Sequence, residues 1–217
     1  MKYFSTLLNC WHSELYHQWI LVSSLLSGFS YVTFLGIVSL LRLLPFHGIY
    51  QRPTPRILIL YLCFGLITGL SQWWVIRSRF EHAYWWIIAS VAGSLLVALF
   101  LITGDLVLYN LSYVGFVQSA IKTIFPALAI SIPQALFFAS RTKAAWKWVA
   151  FALLAHAIAL PLDGLLNLIN AQVGWPNVAY LTVTSLLSAV SGAVLGAIAG
   201  IPLVKFAQNQ AKAKRSP

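Results

Sequence analysis

Four polar side chains stand inside long apolar runs of this chain: Gln72, Gln134, His156 and Asp163. Hydrocarbon offers an amide no hydrogen-bond partner, so a glutamine placed there must find one in the protein or in a bound molecule. A histidine in the same setting can relay a proton or hold a cofactor or pigment. Asp163 follows His156 by seven residues, about two helical turns, so both project from one face of a helix, and Pro161 between them can free a backbone carbonyl. Together the four could line a path for an ion or small solute. The plainer reading is structural. Each glutamine then bonds a neighbouring carbonyl or its twin, His156 stays neutral beside a polar neighbour, and Asp163 reaches water at an interface. Lys122 could pair with Asp105 or Asp163 at the outer face, or, more simply, snorkel to the interface.

The two glutamines belong to matching stretches, the second 62 residues after the first. One runs Gly65, Gly69, Gln72, then Ser78-Arg79, Ala83 and Trp86-Ile87. The other runs Ala127, Ser131, Gln134, then Ser140-Arg141, Ala145 and Trp148-Val149. Small residues four apart let helix backbones approach closely, and a glutamine three residues further on falls near that same face. Each copy predicts a two-helix hairpin with a short basic turn. Both copies point the same way, so a pseudo-two-fold relating them would run along the membrane normal, unlike inverted transporter repeats. Gly192, Gly196 and Gly200 form a longer small-residue stripe, expected to pack its helix against these hairpins. Trp73, Trp74, Trp85, Trp86, Trp146 and Trp148 flank the two turns and read as interfacial anchors, with Arg77, Arg79, Arg141 and Lys143 placed to meet lipid phosphates or ring faces.

The elements that must carry these residues follow from composition. Of 217 residues, 60% are hydrophobic and 8% charged, against about 25% charged in soluble domains. The class is therefore all-α integral membrane. Segments near 19–45, 57–77, 84–104, 119–140, 146–169 and 178–204 each supply the roughly 20 apolar residues that a span requires. The expected layout is an N-terminal interfacial segment (1–18), one transmembrane domain (19–204) with repeat hairpins at about 57–104 and 119–169, and a basic, mobile cytoplasmic tail (205–217). Pro126 and Pro133 predict a kinked or broken fourth helix. No cleavable leader is expected, because the first apolar run is far longer than a signal-peptide core of about 7–15 residues. Cys10 and Cys63 are not expected to pair.

The net charge of +10 comes from 14 Lys+Arg against four acids, with the bases mainly at the ends of apolar runs. That placement marks topology and attraction to anionic lipid headgroups rather than nucleic acid. Setting both repeat turns and both termini inside gathers Lys2, Arg77, Arg79, Arg141, Lys143, Lys147, Lys205, Lys212, Lys214 and Arg215 on the cytoplasmic side. Arg42, Arg52, Arg56 and Lys122 are left outside.

At these residues the chain resembles a group of uncharacterised bacterial, notably cyanobacterial, multi-pass membrane proteins. Their recurring pattern is Gly-x-x-x-Gly-x-x-Gln-Trp-x-Val-Leu-Arg, then a basic turn and Ala-x-x-Trp-Val-x-Ala. Gly65, Gly69, Gln72, Trp73, Val75, Ile76, Arg77, Ala83, Trp86, Ile87, Ala89 and Gly93 match it in the first copy. Gln134, Arg141, Ala145, Trp148 and Val149 match it in the second, which lacks both glycines. The resemblance covers roughly residues 60–204. It implies a bacterial inner or thylakoid membrane and a helical fold, and brings no catalytic residue.

The chain lacks His-Glu-x-x-His, Gly-x-Ser-x-Gly, a phosphate-binding glycine loop and Cys-x-x-Cys. The expectation is a non-enzymatic protein with no metal and no cofactor, acting as an interaction, assembly or accessory subunit through self-association or other membrane proteins. The competing expectation is a small-solute or ion transporter built on Gln72, Gln134, His156 and Asp163.

Overall fold

The computed structural model describes residues 13–43, 53–108, 115–139, 145–173 and 178–213, and they form six α-helices. These are α1 (Glu14–Leu43), α2 (Pro53–Ile76), α3 (Trp85–Leu108), α4 (Gly115–Ala139), α5 (Trp146–Val173) and α6 (Val178–Ala213). Each helix packs on the next along the chain, and α6 returns to pack on α1, so the six close into a ring. Among the described residues, three helices carry stretches long and apolar enough to cross a membrane: Ile57–Ile76, Trp85–Thr103 and Ser185–Asn209. Helices α4 and α5 contribute shorter apolar stretches, Ile124–Ala139 and Trp146–Ile158.

Local chemistry explains the helix boundaries. The Ser13 carbonyl accepts the amides of Tyr16 and His17, which makes Ser13 the cap of α1, and Glu14 sets a negative charge in its first turn. Gln18 donates to Glu14 one turn away. Proline opens α2, where its missing N–H costs nothing. The α2–α3 turn spans 77–84. It holds His82 at φ 52°, in the left-handed region that few non-glycine residues adopt. In both turns the helix start is fixed by the same bond: Trp86 N–H donates to the Ala83 carbonyl at 2.9 Å, and Trp148 N–H to the Ala145 carbonyl at 2.9 Å.

The core gathers at one end of the ring, the end that holds the 77–84 turn. Leu15, Tyr16 and Trp19 of α1, Val75 and Ile76 of α2, Phe137 and Phe138 of α4 and Leu203, Val204 and Phe206 of α6 all enter it. Phe80 and Ala83 hold the turn against that core, Phe80 through edge contacts with Phe137 and Phe138.

Several element boundaries differ from the sequence expectation. Helix α1 runs unbroken from Glu14, so residues 14–18 belong to it and bury Leu15 and Tyr16 rather than forming a separate interfacial segment; residues 1–12 lie outside the described set. Helix α6 continues to Ala213, because Phe206 anchors the stretch that was expected to be tail. Helix α4 is continuous through Pro126 and Pro133. Pro133 still removes the donor for the Ala129 carbonyl. Gly93 of α3 lies against that carbonyl, where an added Cβ would come within 2.8 Å of the oxygen and 2.7 Å of Ile130 Cα. The missing side chain allows the two helices to touch, with a Cα–H facing the carbonyl.

Candidate functional site: the tryptophan–glutamine centre

Three tryptophans meet in the middle of the ring, each from the first turns of an odd-numbered helix. Trp19 (α1), Trp86 (α3) and Trp148 (α5) contact one another edge-to-face, with centroids 5.8, 5.8 and 5.3 Å apart. Their exposures are 2%, 0% and 3%. Phe138 packs on Trp86 and Trp148, and Phe137 packs on Trp86. Such aromatic edge contacts add about 0.5–1.5 kcal/mol per pair beyond the area they bury.

Gln72 and Gln134 hold this centre in the same way. The Trp86 indole N–H donates to Gln72 Oε1 at 2.8 Å. The Trp148 indole N–H donates to Gln134 Oε1 at 3.1 Å, and Gln134 Nε2 donates to Ser90 Oγ of α3 at 3.2 Å. Among the described residues neither amide bonds to the other or to a backbone carbonyl, the two partners their sequence context suggested. A tryptophan fourteen residues downstream reaches each one because α3 packs back along α2, and α5 back along α4.

The tryptophans divide in a way the sequence reading did not separate. Trp86 and Trp148 were expected among the interfacial anchors and are instead core. Trp74, Trp85 and Trp146 are at least half exposed. Arg77 lies over the Trp74 ring, 3.6 Å from its centroid, and 5.3 Å from that of Trp73, which suits a cation–π pair.

The small-residue faces also resolve. An added Cβ at Gly65 would come within 2.9 Å of Val91 Cα and Ser94, and one at Gly69 within 2.9 Å of Ile87 Cα. The Gly192–Gly196–Gly200 stripe faces α1 rather than the two hairpins: Gly192 lies against Ser23 and Ser27, Gly196 against Ile20 and Ser23, and Gly200 against Tyr16 and Trp19. Tyr16 Oη donates to the Ala197 carbonyl, and Ser24 Oγ to the Ala189 carbonyl, each at 2.9 Å. Gly196 thus meets Ile20 of α1 as Gly69 meets Ile87 of α3. In this register Trp19-Ile20, Ser23 and Ser27 stand where α3 has Trp86-Ile87, Ser90 and Ser94, and where α5 has Trp148-Val149, Ala152 and His156. The series was visible in the sequence as Trp-Ile with serine three and seven residues on, and reading only the glutamine-bearing copies missed it. Ala199 occupies the position of Gln72 and Gln134. Trp19 Nε1 is accordingly buried without a partner among the described residues, as are Thr68 Oγ1 and Ser131 Oγ.

His156 is partly buried, with Nδ1 2.8 Å from the Ala152 carbonyl one turn back on its own helix. The side chains of Asp105, Lys122 and Asp163 lie outside the described residues, as does Cys10; Cys63 is a free thiol. Among the described residues, two grooves open between neighbouring helices. One, of about 540 Å³, lies between α3 and α4. The other, of about 270 Å³, lies between α1 and α2, and Thr68 and Ser71 are its polar residues. Neither is lined by Gln72, Gln134 or His156.

Comparison with protein-family models, with curated proteins and with solved structures finds no match to this chain.

Proposed function

We propose that this chain is a non-enzymatic, multi-pass integral membrane protein that serves as an interaction or assembly subunit. It would lie in a bacterial inner or thylakoid membrane with both termini cytoplasmic. One observation carries the reading: the amide oxygens of both intramembrane glutamines accept from buried indoles, within an aromatic centre that fills one end of the ring. A solute path would need those amides available to exchange partners with a passing ion or molecule. Here they tie helices together. The duplicated hairpin is then a packing device, and α6 with α1 makes a third unit of the same design, split between the two ends of the sequence.

With the polar groups turned inward, the outer wall is apolar. Leu62, Leu66, Leu70, Ile88, Leu96, Leu99, Leu136 and Leu154 are all exposed on it. Such a wall suits lipid and the flanks of other transmembrane helices, with close approach between helices governed by small residues.

The test is the native mass of the protein extracted from membranes in mild detergent, combined with in-membrane crosslinking. An assembly larger than the 24.1 kDa chain, with crosslinks mapping to exposed residues of α2, α3 or α5, is the expected result. A single chain without crosslinked neighbours overturns the reading.

A further inference from the structure

We propose that the α3–α4 groove is a site for one acyl chain of an anionic phospholipid, whose phosphate sits at the 77–84 turn over His82 and Arg79. The inference rests on the membrane reading above and names one lipid class as a partner.

The shape of the groove sets the kind of occupant. Helices α3 and α4 touch where Gly93 meets Ala129 and Ile130. Toward the turn, Trp85, Ile88 and Ala92 form one wall, Pro133 and Leu136 the other, and His82 stands at the mouth. The volume of about 540 Å³ falls within the roughly 300–1,000 Å³ range of small-ligand sites. A helix about 10–12 Å across fills that volume with about a single turn of 5.4 Å, so a partner helix does not fit. A thin, flexible hydrocarbon chain does. Ala89 and Phe137 are its buried lining residues, whereas Trp85, Ile88 and Leu136 are exposed, so the groove is accessible from the side of those three.

The mouth sets the headgroup. His82 is held in the left-handed conformation and its ring packs edge-on against Tyr84, which leans on Trp85. This makes a rigid aromatic shelf at the depth where Trp and Tyr favour the interface. Arg79 is exposed in the same turn, whereas Arg77 is engaged over Trp74. Glu81, the only acid of the turn, makes a contact of its own. An exposed arginine in the turn that ends an apolar slot favours an anionic lipid over a zwitterionic one.

The test uses the full chain in phosphatidylcholine vesicles that contain a minor share of phosphatidylglycerol. Brominated acyl chains, which quench tryptophan on contact, are placed on either lipid. The signal is the quenching lost on Trp85→Phe. Brominated phosphatidylglycerol should quench Trp85 several-fold beyond its share of the bilayer. Arg79→Gln should lower that preference roughly fivefold, the effect of one basic residue near the surface, and leave quenching by brominated phosphatidylcholine in place. His82→Asn, which tolerates the left-handed backbone, should lower it further. Ala92→Leu should reduce quenching by both lipids by filling the slot. Trp85 quenching that follows bulk lipid composition in the unsubstituted protein overturns the proposal, as does a preference indifferent to Arg79→Gln and His82→Asn. A protein that fails to float with vesicles at all overturns instead the membrane reading on which the proposal rests.

Discussion

The two glutamine hairpins make the same indole bond from different surroundings. In the first, Gly65 and Gly69 bring α2 against α3 backbone to backbone, and Gln72 is only partly buried. In the second, Ala127 and Ser131 replace the glycines, and Gln134 is buried and ties three helices by bonding Ser90 on α3 as well as Trp148 on α5. The first hairpin therefore depends mainly on close approach of backbones and the second more on a polar lock. The substitutions at the next matched positions agree. Where α3 presents Ser90 and Ser94 to the tight contact, α5 has Ala152 and His156, and His156 turns back onto its own helix.

The comparison can be broken first at its shared centre. Trp86→Ala and Trp148→Ala should each cost about 3–5 kcal/mol through lost packing and an unpaired glutamine, read as thermal unfolding in mild detergent. Near-neutral melting for either would place that ring outside the core. Gly69→Ala comes next, at about 1–3 kcal/mol, because the new methyl meets Ile87 Cα at 2.9 Å and backbone cannot move aside cheaply. The locks should separate in order: Gln134→Leu at about 1–2 kcal/mol and Gln72→Leu at about half that, since interhelical hydrogen bonds in membranes average roughly 0.6 kcal/mol each. A reversed order removes the distinction between the hairpins. The smallest expected effect has the opposite sign. Ser131→Ala, at the position matched to Gly69, removes a buried hydroxyl without a partner and should leave stability unchanged or raise it by a few tenths of a kcal/mol.

How much of this was legible depended on the range of the interaction. The six helices were readable because apolar runs and their flanking prolines and charges are local signals. The matched glutamines were readable because recurrence needs no structure. The amide partners were not. Nothing in the spacing of Gln72 and Trp86 says that the turn folds one back onto the other, and an interfacial tryptophan and a buried one have the same sequence signature beside a basic turn. The Gly192–Gly196–Gly200 stripe announced a close contact but not its target, since small residues specify approach and leave the partner open. The α1 unit escaped notice for another reason: Trp19-Ile20, Ser23 and Ser27 repeat the series of α3, but its partner helix carries Ala199 where the other units have a glutamine, so no matched amide pointed to it.

The closure of α6 on α1 has a consequence in time. Tyr16 bonds to Ala197, 181 residues away, whereas neighbouring helices elsewhere in the ring meet soon after they are made. During synthesis α1 is the first of the six helices to be made and its partner α6 the last, so the face of Ser23, Ser27 and Trp19 waits for α6 while the four helices between them are completed. Non-local contacts of this separation are slow to form and leave a surface that other molecules can take in the interval. The ring is therefore most open to interference just before its last helix arrives.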